Sequence, residues 1–156
     1  MGHEERARAA GVNLDMTLLR AGNFDLVVQT GNVVYVAGCI ALADGGIAFK
    51  GRLGADMDIL EGQGSARGAA EAILAAVHQY LGSLDRVERV VRLTAYVTSA
   101  AGFGDQPKVV NGASDLMIEV FGDSGRHTRS AIGVAELPLG ASVEIEGIFQ
   151  VSAEST

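Results

Sequence analysis

The sequence predicts an α+β domain: a mixed sheet of four to six strands with two helices packed on one face. Three observations carry that reading. Two long segments, Gln63 to Leu81 and Asp105 to Phe121, repeat apolar residues at helical spacing. Short apolar or alternating runs surround them, bounded by glycine, asparagine and proline. The resulting order is β-β-β-α-β-α-β-β, and two helices cover only one side of such a sheet. The other side then needs a burying partner, so the pattern alone predicts a chain that is not a monomer.

The elements follow in order. Residues 1–20 read as an N-terminal arm or short helix, and residues 21–156 as one domain. Asp25 to Gln29 and Val33 to Gly38 read as a hairpin around Thr30-Gly31-Asn32. Asp44-Gly45-Gly46 marks a second turn, with a short strand from Ile47 to Lys50. Residues 51–62 are rich in glycine and aspartate and read as loop, and Gly62-Gln63-Gly64-Ser65 as a loop-to-helix junction. In the first long helix Ala66, Ala70, Ile73, Leu74, Val77 and Leu81 form the apolar stripe, and Gly82-Ser83 ends it. Val87 to Thr98 is a long strand, with Val91, Leu93, Ala95 and Val97 on one side and Arg92, Thr94 and Tyr96 on the other. Asp105 reads as the N-cap of the second helix and Pro107 sits in its first turn, where a missing N–H costs nothing. Val109, Ala113, Leu116, Met117 and Val120 form its stripe, closed by Gly122.

Composition narrows the function. A chain of 156 residues is most simply one domain, large enough to bury about 70% of its unfolded surface. The net charge of −7 is the opposite of the basic footprint of nucleic-acid binders. Cys39 is the single cysteine, which fits a reducing compartment and cannot anchor a zinc site. No run approaches the ~18 apolar residues of a membrane span, and Met1 to Leu19 lack an apolar signal core. A cytoplasmic protein without a membrane partner is expected. No two histidines have metal-ligand spacing, so no metal is expected; His3 and His78 read as solvent-facing. Neither a Gly-x-Ser-x-Gly elbow nor a dinucleotide glycine pattern occurs, and no cofactor is expected.

The last two strands hold the chemistry. Read as a hairpin with Ala135 opposite Ser142, Gly133 faces Glu144, Ala131 faces Glu146 and Arg129 faces Ile148. Ser130, Ile132, Val134, Val143, Ile145, Gly147 and Phe149 then form a core face. Arg129, Ala131, Gly133, Glu144, Glu146 and Ile148 form the other, which puts charges among very small neighbours, as a pocket requires. The uncovered face also takes in Val90 and Tyr96. In this register Arg129 and Glu144 lie about 13 Å apart along the strand, too far for a direct pair within the hairpin. Arg129 fits either a solvated strand arginine or a carboxylate clamp. Glu144 fits either an exposed strand residue or a group that orients water and moves protons. His127, two residues before Arg129, either begins the strand or extends the pocket as an acid or base.

An arginine, a serine, an apolar position, a Leu-Pro turn and a late Val-Glu-Ile, in Arg129 to Ile145, resemble the signature of the RidA/YjgF family. Gly31 to Gly38 is similar to that family's early strand, and Asn111 to the asparagine of its second helix. The resemblance covers roughly residues 20–151. These proteins are enamine/imine deaminases, also catalogued as L-PSP endoribonucleases. The resemblance implies a chorismate-mutase-like subunit in a homotrimer, sheets inward, with sites at subunit interfaces. It implies a small imino- or keto-acid substrate, with Arg129 on the carboxylate and Glu144 on the water. Backbone groups near Gly38 and Ala131 would hold the substrate, with Asn111, Phe24 and His127 lining the site and Glu146 structural. The chain departs from the family where Ala131 replaces a frequent cysteine, Phe24 a tyrosine and His127 a proline or alanine. One residue is also inserted between Asn111 and Arg129. That pattern marks a divergent branch and leaves open a carboxylate-binding trimer without catalysis.

Overall fold

A computed structural model describes residues 1–153. A short helix α1 (His3–Ala9) opens the chain. The hairpin β1 (Val27–Thr30) and β2 (Val33–Cys39) turns at Gly31, whose φ of +57° a side chain would resist. A small ribbon follows, β3 (Leu42–Ala43) with β4 (Gly46–Ile47). Then come α2 (Ile59–Leu81), β5 (Val87–Thr98), α3 (Gln106–Phe121), β6 (Thr128–Val134) and β7 (Val143–Val151). The main sheet has the order β1-β2-β7-β5-β6, with β5 and β6 parallel and its other pairs antiparallel. Helices α2 and α3 pack on each other and on one face of this sheet, as expected.

The expected hairpin between the last two strands is not formed. Strand β6 pairs with β5, and β7 inserts between β5 and β2. The reason is α3: it carries the chain back to run β6 alongside β5, and a strand–helix–strand unit gives a parallel pair. The segment from Ala135 to Ser142 then passes the end of β5. The new register exchanges the faces of β6. Arg129, Ala131 and Gly133 lie level with Leu93, Ala95 and Val97, toward the helices. Ser130, Ile132 and Val134 join Glu144, Glu146 and Ile148 on the open side. Val90 is also corrected. A bulge between Val90 and Arg92 turns it fully into the core and leaves Val91 outside.

Three smaller expectations change. Helix α2 begins at Ile59, inside the expected loop, because Asp58 and Glu61 form a reciprocal capping box, both bonds 2.8 Å. Ser65 is therefore buried in α2, bonded 2.7 Å to Ser142 Oγ. Strand β4 stops at Ile47. His3 and His78 do not face solvent. Their Nδ1 atoms are buried, His3 edge-on to Phe121 and His78 3.4 Å from Glu4, because α1 folds back onto the helices. The arm beyond α1 is held along α2, where Arg67 donates to the Ala10 carbonyl and Gln79 to those of Leu14 and Met16.

The core lies between helices and sheet. Phe149, Leu93, Ile145, Ile73, Leu74 and Met117 are fully buried there, each contributing about 1.5–3 kcal/mol by leaving water. The opposite face has no cover among the described residues. Val28, Tyr35 and Ile132 stand 52%, 45% and 45% exposed on it.

Candidate functional site

Two clusters occupy different parts of the molecule. The first is built on Arg129, half-buried where β6 meets α3. Its Nη1 donates to Asn111 Oδ1 at 2.8 Å and to Ser114 Oγ at 3.1 Å, and its Nη2 to the Pro107 carbonyl at 3.0 Å. Asn111 and Ser114 are three residues apart, so one face of α3 presents both. Three of five guanidinium hydrogens are thus used within the chain. Those of Nε and the second on Nη2 have no partner among the described residues. Nε and Nη2 share one edge of the guanidinium, and such an edge pairs bidentately with a carboxylate. His127 stands beside this cluster, its Nε2 2.9 Å from Ser114 Oγ and its Nδ1 2.6 Å from the Gly125 carbonyl.

The backbone of β6 adds donors. The Val134 carbonyl accepts from Ser99 N–H on the β5 side. Backbone groups alternate sides along a strand, so Arg129, Ala131 and Gly133 turn their N–H groups to the free edge. Ala131 contributes only a half-buried methyl besides its backbone.

The second cluster is built on Glu144. Its side chain lies against Gly38, where a Cβ would stand 2.8 Å from the carboxyl carbon. A side chain at this position would push the Glu144 carboxyl group aside. Glu144, Gly38, Cys39 and Phe24 line a cavity of about 190 Å³, closed by Leu18, Leu26 and Leu139 among others. Burial, then the neighbouring Glu146 carboxylate, raises the Glu144 pKa above the ordinary carboxylate value. Burial, then Glu144, pushes the Cys39 thiol up to about 12. Glu146 accepts a 3.0 Å bond from Tyr96 on the open face.

The two clusters do not meet within one chain. Arg129 is level with Gly147, three residues from Glu144, with β5 between their strands. The separation is about 10 Å across the sheet and 10 Å along it, on opposite faces. The structure thus gathers Arg129, Asn111, His127 and Ala131 in one place and Glu144, Gly38 and Phe24 in another. Ser114 and the Pro107 carbonyl were not anticipated. The spacing of Ser114 from Asn111 was the available signal.

Fold and clusters together define an α+β domain with an arginine cluster at one sheet edge and a separate acidic pocket. The chain belongs to the YjgF/RidA family: the model described as "YjgF/chorismate mutase-like, putative endoribonuclease" matches residues 4–149. It is 41% identical to Protein TCP17 of Trypanosoma cruzi over 91% of this chain and 89% of that one. A protein of unknown function from Agrobacterium tumefaciens superposes with a TM-score of 0.86 at 39% identity, over 96% of this chain and 92% of that one. A "putative endoribonuclease" from Shewanella oneidensis MR-1 gives a TM-score of 0.92 at 28% identity, over 97% and 100%. No helix of the described residues is long and apolar enough to cross a membrane.

Proposed function

We propose that the chain hydrolyses reactive 2-imino or 2-enamino acids to 2-keto acids and ammonia. It acts as a homotrimer, sheets inward, in which Arg129 of one copy faces the Glu144 pocket of the next. The observation that carries this reading is the Arg129 guanidinium, held by α3 through three hydrogens, with its Nε hydrogen and one Nη2 hydrogen without a partner among the described residues. Those two hydrogens take the substrate carboxylate, with the outward Ala131 N–H beside them. Glu144 accepts a proton from water as its oxygen bonds to C2 of the imine. That proton passes to nitrogen, a second follows it from the new C2 hydroxyl as the C=O forms and the C–N bond breaks, and ammonia leaves with the keto acid. The imine carbon is already electrophilic, so the step asks for no cofactor. The raised Glu144 pKa suits a group that must both take and return a proton.

The test uses 2-imino acids generated in place by an amino-acid oxidase. Wild type should accelerate their clearance, and Arg129→Ala should abolish turnover while the assembly persists. Undiminished clearance by Arg129→Ala overturns the mechanism. A second reading, a carboxylate-binding trimer without turnover, is favoured by one observation: Phe24 brings a ring without a hydroxyl to the cavity. Binding of a 2-keto acid with no clearance of any imine would establish it. The endoribonuclease description of the relatives has less support here, since a charge of −7 offers RNA phosphates no general attraction.

A further inference from the structure

Ser114 and His127 form an ordered chain of hydrogen bonds behind Arg129. A carbonyl oxygen only accepts, so the 2.6 Å contact with Gly125 places a hydrogen on His127 Nδ1. In the neutral imidazole Nε2 is then bare, and it accepts from the Ser114 hydroxyl at 2.9 Å. The hydroxyl has used its one hydrogen. It therefore meets Arg129 Nη1, 3.1 Å away, with a lone pair. The bonds run one way, from Arg129 to Ser114 to His127 to the Gly125 carbonyl. Burial lowers the His127 pKa, the Arg129 charge lowers it further, and the Gly125 bond opposes both. The ring is thus neutral at neutral pH, as the chain of bonds requires.

We infer that Ser114 and His127 are positioning residues that fix the plane of the Arg129 guanidinium and so aim its remaining Nε and Nη2 hydrogens at a substrate carboxylate. The inference rests on the carboxylate-clamp reading of Arg129. An arginine with only Asn111 and the Pro107 carbonyl as anchors is held by α3 alone. The Ser114–His127 chain ties it also to the turn Gly122–Gly125 that leads into β6. A side chain ordered before binding loses less entropy when the ligand arrives, and the benefit is read as affinity.

The experiment measures binding of 2-oxobutyrate by calorimetry to the intact assembly. The proteins are wild type, Arg129→Ala, Ser114→Ala, His127→Leu and His127→Gln. A glutamine amide oxygen can replace Nε2 as acceptor for Ser114, whereas leucine cannot. Arg129→Ala should abolish binding. Ser114→Ala and His127→Leu should weaken it on the order of tenfold, and His127→Gln should stay within about threefold of wild type. In the unsubstituted protein, nitrogen chemical shifts should show His127 protonated at Nδ1 and bare at Nε2. Wild-type affinity in Ser114→Ala and His127→Leu, with binding lost in Arg129→Ala, overturns the positioning role and leaves the clamp standing. Wild-type affinity in Arg129→Ala overturns both. Should a variant fail to fold, the tautomer decides: a hydrogen on Nε2 overturns the role.

Discussion

Glu144 links charge and stability at a single residue and, on the proposed mechanism, turnover as well. Its pKa is raised in the folded state, first by burial and then by Glu146. An acid with a raised folded pKa adds stability while protonated, and that contribution disappears as pH climbs through the folded pKa. At neutral pH the ionised carboxylate therefore opposes folding, and Glu144→Gln should raise Tm there while removing turnover. The acid limb of the wild-type kcat/KM profile should lie above the ordinary carboxylate range. A Glu144→Gln protein that melts below wild type at pH 7 would contradict this account. Cys39 offers a second reading of the same cavity. With its thiol pushed up to about 12, it should react far more slowly with a thiol reagent at pH 8 in the folded protein than in urea. At this scale the structure brings together Arg129, Asn111 and His127, which the sequence had singled out one by one. It missed Ser114, whose role depends on which face of α3 meets β6, and that is decided by packing.

The elements show where sequence patterns carry structure and where they do not. The strand β5 and the ends of α2 and α3 at Gly82 and Gly122 were readable, because periodicity and helix-stop glycines are local signals. The start of α2 was readable too, in Asp58 and Glu61, but the surrounding glycines obscured it. Asp58→Ala should cost about 1 kcal/mol of stability in denaturant unfolding, by freeing the Glu61 N–H. A loss near zero would mean that tertiary contacts hold that end. The pairing of β6 was not local. Pro138 and Gly140 suggested a turn between neighbouring strands. The segment from Ala135 to Ser142 is long enough to span about 25 Å, ample for passing one intervening strand. Alternation within β6 and β7 was correct in each strand, and the wrong partner reversed one against the other.

For the whole molecule, the separation of Arg129 from Glu144 makes a quantitative demand. If each site joins the arginine of one copy to the glutamate of the next, Arg129→Ala and Glu144→Gln damage different halves. Each variant alone should be inactive. Refolded together in equal amounts, they should regain roughly one quarter of wild-type sites, the fraction that draws both intact halves at random in a closed ring. Light scattering should give a trimer mass for all three preparations. No recovery in the mixture would place both groups in one chain's site or remove one from catalysis. The open face of the sheet was legible from the helix count alone, because two helices cannot cover two sides. The number of copies was not, since an apolar face says that something covers it without saying how many.

The outer edge of β6 carries a liability that catalysis does not explain. Arg129, Ala131 and Gly133 turn their backbone groups to that edge, beside a face bearing Ile132. An unpaired strand edge next to apolar surface is a template for adding strands from other molecules, and proteins restrain such edges with charge. If the chain assembles as proposed, a copy parted from its neighbours would present this template to every other parted copy. Dilution would then promote aggregation instead of yielding tame monomers, and the half-buried guanidinium of Arg129 would be the charge near that edge opposing the growth of fibrils.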